Sequence, residues 1–201
     1  SWEEAGALPL AGLTAFRALT YQGDIQEGEN LLVTGFGGGV AQFAVQFGMA
    51  LGTNVSTSSS SPEKLARAKA MGVSNTFNYL DRNWITKALE ETNGFDLVID
   101  GAVGDTLGHL IQVAKPGGKI VFYGATLGNP SKIEARKIFW NQLKIMGTTM
   151  GSDLDFKNMV ALVCEKKILP IIDQVFKFDQ AEMAFDRMRD GKQTGKIVLV
   201  P

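Results

Sequence analysis

A single cysteine, Cys164, and a single histidine, His109, stand in a chain of 201 residues. One thiol closes no internal disulfide, and two such residues furnish no multi-cysteine zinc site, so a stapled secreted scaffold is excluded and a reducing compartment is indicated. Charge of one sign is missing too: 20 basic against 21 acidic residues leave a formal net charge of −1. No field exists to gather a polyanion, and no nucleic-acid partner is expected. No apolar run approaches the roughly 20 residues that a membrane-spanning helix requires. The opening Ser1-Trp2-Glu3-Glu4 also lacks the charged and apolar regions of a signal peptide. A soluble, cytoplasmic protein without membrane contact is the expectation. The chain starts without methionine, inside an amphipathic stretch, which points to a domain cut from a longer protein.

What the sequence does hold is 45% hydrophobic residues, enough to bury one substantial core. The stretch from Glu3 to Thr20 reads as helix. Leu31-Leu32-Val33-Thr34-Gly35-Phe36 is a short apolar run closed by glycines, as a fully buried parallel strand should be. After Gly37-Gly38-Gly39, the residues Val40, Ala44, Phe47 and Leu51 recur at the spacing of one helix face. The alternation continues with a strand near Asn54 to Ser58, a helix from Pro62 to Met71, a strand near Thr76 to Tyr79 and a helix near Trp84 to Glu91. Phe95 to Asp100 and Lys119 to Tyr123 are two more buried strands, and a helix between them ends before the turn signal Lys115-Pro116-Gly117-Gly118. The last third reads as a strand from Leu143 to Met150, a helix from Phe156 to Lys166, a strand from Gln174 to Phe178, a helix from Gln180 to Arg189 and a closing strand from Lys196 to Val200. Strands alternating with helices imply right-handed βαβ units: an α/β class, a doubly wound parallel sheet in three layers, αβα, of the Rossmann type, as one domain over residues 1–201.

Gly37, Gly38 and Gly39 lie between a strand and a helix. A helix N-terminus presents unpaired N–H groups and the positive end of a dipole, and glycine lets a pyrophosphate approach the backbone. A tight turn needs glycine whether or not anything binds, so both readings stand. Domains that prefer NAD place an acidic residue at the end of the second strand, for the ribose 2′-hydroxyl. Here Ser58, Ser59, Ser60 and Ser61 fill that turn and Lys64 follows, which suits a 2′-phosphate. NADP(H) is therefore favoured over NAD(H). Ser61 is equally placed to cap the helix that begins at Pro62. An S-adenosylmethionine methyltransferase, which shares the glycine loop, usually carries an acidic residue where this chain has serines.

Four segments, Ala7-Leu8-Pro9-Leu10-Ala11-Gly12-Leu13-Thr14-Ala15-Phe16, Val33-Thr34-Gly35-Phe36-Gly37-Gly38-Gly39-Val40, Pro116-Gly117-Gly118 and Gly195-Lys196-Ile197-Val198, together resemble the medium-chain dehydrogenase/reductases, nearest the quinone oxidoreductase-like and zinc-type alcohol dehydrogenase-like branches. The resemblance covers essentially the whole chain. It implies a cofactor-binding domain without most of the GroES-like catalytic domain that precedes it in the family, so that the isolated chain is inactive and its catalytic residues are unassigned. It places Gly38, Gly39, Val40 and Ala41 on the pyrophosphate; Ser58, Lys64 and Tyr79 on the adenosine 2′-phosphate; Gly101, Ala102, Val103, Tyr123, Gly124 and Ala125 beside the ribose and nicotinamide; and Thr14 near the nicotinamide ring. Phe36 stands where the family usually carries glycine or alanine, in a position to crowd the dinucleotide. Leu10 occupies the place of a cysteine ligand in zinc-dependent members, and no zinc is expected. His109 reads as a surface or packing residue, Cys164 as a buried small hydrophobe, and Tyr123 as packing. The implied activity is an NADP(H)-dependent reductase acting on a small molecule, with a non-catalytic dinucleotide-binding or structural domain as the rival. Ile138, Phe139, Trp140, Leu143, Ile145 and Met146 cluster at the late strand, which in relatives pairs with its twofold mate. A homodimer follows from that placement, unless these side chains fill the core.

Overall fold

The computed structural model describes residues 1–201. Six parallel strands form the main sheet: β1 (Asn30–Val33), β2 (Asn54–Ser59), β3 (Asn75–Asn78), β4 (Phe95–Asp100), β5 (Ala114–Phe122) and β6 (Lys144–Gly147). Their spatial order is β3-β2-β1-β4-β5-β6. This is the doubly wound order whose reversal between β1 and β4 opens a crevice at the carboxyl ends of the strands.

Successive residues of a strand face opposite ways, and here both directions are buried. Leu31, Val33, Leu97, Ile99 and Val121 join one apolar cluster with α2 (Pro9–Arg17) and α3 (Gly39–Ala50). Leu32, Val98 and Ile120 join the other, with α5 (Trp84–Thr92) and α6 (Leu107–Val113). The result is the three-layer αβα sandwich that the continuous apolar runs imply.

Several boundaries move for local reasons. Pro9 removes an N–H donor, and the opening helical stretch divides at Leu8 into α1 (Trp2–Ala7) and α2, closing in a short π-helix over Ala18–Gln22. β1 stops at Val33, short of Phe36, because Gly35 (φ +68°) and Gly37 (φ +130°) turn the chain. The Lys115–Gly118 turn is present but sits inside β5: pairing jumps from Phe95–Ala114 to Leu97–Lys119, and Gly117 takes φ +79°. A short helix, α7 (Ala135–Trp140), has no side-chain cap and no buried residue, so no periodic signal marks it.

The remaining helices are α4 (Pro62–Ala70), α8 (Asp153–Lys166) and α9 (Ala181–Arg189). β7 (Ile172–Lys177) and β8 (Lys196–Val200) pair in parallel as a separate two-stranded sheet. That sheet is tied to the glycine turn, since the Gly195 N–H donates to the Gly37 carbonyl at 2.9 Å. No helix is long and apolar enough to cross a membrane.

Candidate dinucleotide site

The first intrahelical bond of α3 runs from the Gln42 N–H to the Gly38 carbonyl, 3.0 Å away. The N–H groups of Gly39, Val40 and Ala41 therefore precede the ladder, and no side chain caps them. Phe36 does not crowd this end. Its ring is 1% exposed and belongs to the core cluster under the sheet, while its N–H donates to the Ser58 carbonyl at 2.8 Å. The expected obstruction is removed because the turn directs the ring inward.

Two lysine stems flank the glycines. A Cβ placed on Gly37 would lie 2.9 Å from Lys64 Cδ, and one placed on Gly39 would lie 2.7 Å from Lys196 Cδ. Lys196 escaped sequence reasoning, although the Gly195-Lys196 pair that carries it was on view; only the return of β8 brings its cation to the start of α3.

At the end of β2, Ser60, Ser61, Glu63, Lys64, Arg67, Gly191, Lys192 and Thr194 line a cavity of about 470 Å³. Lys64 Nζ donates to the Gly191 carbonyl at 2.8 Å across it. Burial lowers the pKa of this lysine, the nearby Asp173 carboxylate opposes that shift, and Arg187 reinforces it. Ser61 is the cap of α4, accepting from the Lys64 N–H at 3.2 Å, and its hydroxyl donates to Glu63 Oε2 at 2.6 Å. Arg67 and Lys192 add two cations that the sequence did not single out. Ser58 is buried within β2, and Tyr79 lies half exposed beyond β3; neither lines the cavity.

On the other side of the crevice, the turns after β4 and β5 are stitched together. Thr126 N–H donates to the Gly101 carbonyl, Leu127 N–H to that of Ala102 and Gly104 N–H to that of Gly128, at 3.2, 2.9 and 2.9 Å. The Tyr123 ring covers Gly101 so closely that a Cβ there would be 2.7 Å from its hydroxyl, and Gly124 packs on the Gly101 carbonyl. Burial, with the Asp100 carboxylate adding to it, pushes the Tyr123 phenol up to about 12. Thr14 is buried in α2 and donates to the Leu10 carbonyl at 2.9 Å.

Residues 39–165 match the family described as zinc-binding dehydrogenase. The chain is 41% identical to the zinc-type alcohol dehydrogenase-like protein YogA of Leptosphaeria maculans, over 98% of this chain and 58% of that one. The chain belongs to the zinc-binding dehydrogenase family, within the medium-chain dehydrogenase/reductase superfamily. It corresponds to the cofactor-binding domain of that superfamily and spans less than two thirds of the length of such relatives. Among solved structures, an NAD-dependent alcohol dehydrogenase superposes with a TM-score of 0.95 at 31% identity, covering 100% of this chain and 59% of that one. A quinone oxidoreductase from Thermus thermophilus, described together with its NADPH complex, gives 0.88 at 28%, covering 100% and 67%.

The residues of this chain alone supply no zinc ligand set. Leu10 carries no donor, and no three His, Cys, Asp or Glu side chains come together as ligands. His109 is exposed and meets the Trp84 ring edge-on at 6.1 Å between centroids. Cys164 is exposed on α8 and not buried, because the helix turns it away from the Met159 side that packs inward. A dinucleotide pyrophosphate is compatible with this lining: α3 starts without a side-chain cap, and a Cβ on Gly37 or Gly39 would require a lysine to move.

Proposed function

We propose that the chain is the cofactor-binding domain of an NADP(H)-dependent oxidoreductase acting on a small molecule, a quinone or enone reductase or an alcohol dehydrogenase-like enzyme. The observation that carries this reading is the cavity at the end of β2, where Lys64, Arg67 and Lys192 converge with Ser60 and Ser61. Glu63 in the lining already accepts the Ser61 hydroxyl, while Asp190 pairs with Lys192 at 2.6 Å and Asp173 lies near Lys64. A ribose 2′-phosphate is a dianion at neutral pH and matches that cluster, whereas a free 2′-hydroxyl calls for an acceptor. The names of relatives divide between NAD and NADPH, so the preference rests on these residues.

In this reading the bound nicotinamide supplies the hydride, and the chain supplies orientation and charge. The N–H groups of Gly39, Val40 and Ala41, with Lys196 beside them, receive the pyrophosphate. Lys64, Arg67 and Lys192 hold the 2′-phosphate, and the turns at Gly101 and Gly124 border the nicotinamide half. Proton transfer belongs to groups outside this chain, and the single unpaired thiol accords with a cytoplasmic enzyme.

The reading includes a homodimer through β6, the edge of the sheet. Leu143 is buried, but Phe139 and Trp140 are 66% and 77% exposed beside that edge, so filling the core does not account for them. Calorimetric titration of the 201-residue chain with NADPH, and separately with NADH, tests the cofactor assignment. Tighter binding of NADPH is expected; equal affinity would refute the 2′-phosphate site, and no binding of either would remove the dinucleotide reading altogether.

A further inference from the structure

Asp100 is 2% exposed at the end of β4, and no cation pairs with it. A buried carboxylate without an ion pair is costly unless its oxygens are filled by donors. Three donors fill them. Oδ2 accepts the N–H groups of Ala102 and Val103 at 3.0 and 2.7 Å, and Oδ1 accepts the hydroxyl of Thr34 at the end of β1. The turn held in this way is strained. Val103 sits at φ +56°, ψ −117°, dihedrals that a turn normally reserves for glycine and that a β-branched residue adopts only under constraint. Its carbonyl is fixed as well, accepting the Thr106 hydroxyl at 2.6 Å.

The geometry points to Asp100 as a positioning residue: its carboxylate clamps the strained Gly101–Gly104 turn in the shape that borders the nicotinamide half of the dinucleotide, and through Thr34 locks that shape to the strand that feeds the glycine loop. This rests on the dinucleotide reading and adds to it a division of labour. A single side chain ties the turn after β4 to the start of the glycine loop after β1. Thr34 also donates its backbone N–H to the Ile99 carbonyl at 3.0 Å, so the strands are fixed and only the turn depends on the carboxylate. An amide would preserve the arrangement. Its oxygen accepts the two N–H groups, and its NH2 donates to the Thr34 oxygen, which is both donor and acceptor.

The test compares wild type with Asp100→Ala, Asp100→Asn and the double variant Asp100→Ala/Val103→Gly. Two ligands are titrated, NADPH and 2′,5′-ADP, the latter probing the adenosine half alone. Asp100→Ala is expected to weaken NADPH by about tenfold, the scale of losing charge-assisted hydrogen bonds, and to leave 2′,5′-ADP unchanged. Asp100→Asn should bind both ligands as wild type does. The glycine double variant should recover part of the loss, because the turn then needs no clamp. Hydrogen exchange without ligand gives a second readout: Ala102 and Val103 amides should lose protection in Asp100→Ala while β1 and β4 keep theirs. Equal weakening of both ligands, or unchanged exchange at Ala102 and Val103, would overturn the clamp. Wild type that binds neither ligand would instead overturn the dinucleotide reading, and the exchange result would then report a structural turn only.

Discussion

The Lys64 ammonium and the Gly191 carbonyl, 2.8 Å apart, join α4 to the turn ahead of β8 across the cavity at the end of β2. An incoming phosphate has to exchange that neutral acceptor for a charged one. The exchange is favourable, because a phosphate adds Coulombic attraction to the hydrogen bond that the neutral carbonyl already provides. Lys64→Ala should accordingly weaken NADPH by about ten- to a hundredfold, the range of one charged hydrogen bond, with NADH changed little. Ser60→Asp should act in the same direction by repulsion, and the ratio of the two dissociation constants measures both variants.

Tyr123 gives a pH signature. Its phenol is raised to about 12, first by burial and then by Asp100. The unfolded chain therefore loses that proton at lower pH than the folded one. The stabilisation is complete below the ordinary phenol value of about 10 and is lost as pH rises through the folded value. Denaturant midpoints measured across this alkaline range should fall more steeply for wild type than for Tyr123→Phe. Identical slopes would show that the phenol is not desolvated.

Asp173 anchors the small sheet. Its carboxylate takes Arg187 Nε and Nη2 at 2.5 and 3.0 Å and the Thr194 N–H at 3.0 Å, and chiefly through Arg187 its pKa is held below the usual carboxylate value. Stability from this group is present above the unfolded carboxylate pKa and fades as pH falls through the folded one. Asp173→Ala should lower the denaturant midpoint measurably, because it removes one partner of a half-buried charged pair and the acceptor of the Thr194 N–H together. Asp173→Asn, which keeps acceptors for Arg187 and Thr194, should cost less.

Trp140 tests association. Replacing an exposed side chain leaves folding intact, so, if the proposed dimer forms, Trp140→Glu should unfold as wild type does yet scatter light as a monomer at concentrations where wild type associates. A wild-type monomer at high concentration would rule out the edge-paired dimer.

Most of the sheet was legible because its strands bury both faces, and continuous runs such as Leu31-Leu32-Val33 and Leu97-Val98-Ile99 have few other uses in an α/β chain. The glycine turn was legible for the same local reason. What escaped was set by distance along the chain. Lys196, Arg67 and Lys192 are ordinary surface cations until β7, β8 and the turn at Gly191 fold back over α3 and α4. Asp100 carries no motif; its role follows from three donors, two of them in the strained turn itself. Phe36 misled because composition at a loop position does not tell which way the ring points. Cys164 misled because Leu162 and Val163, which pack inward beside it on α8, point to another side of the helix.

The bond from the Gly195 N–H to the Gly37 carbonyl joins residues 158 positions apart. The turn between β1 and α3 thus takes a bond from a residue far along the chain. Closing so long a loop comes late in folding. The six-stranded sheet can thus consolidate before Lys196 reaches the start of α3, and in the proposed reading the scaffold stands before its phosphate site is complete.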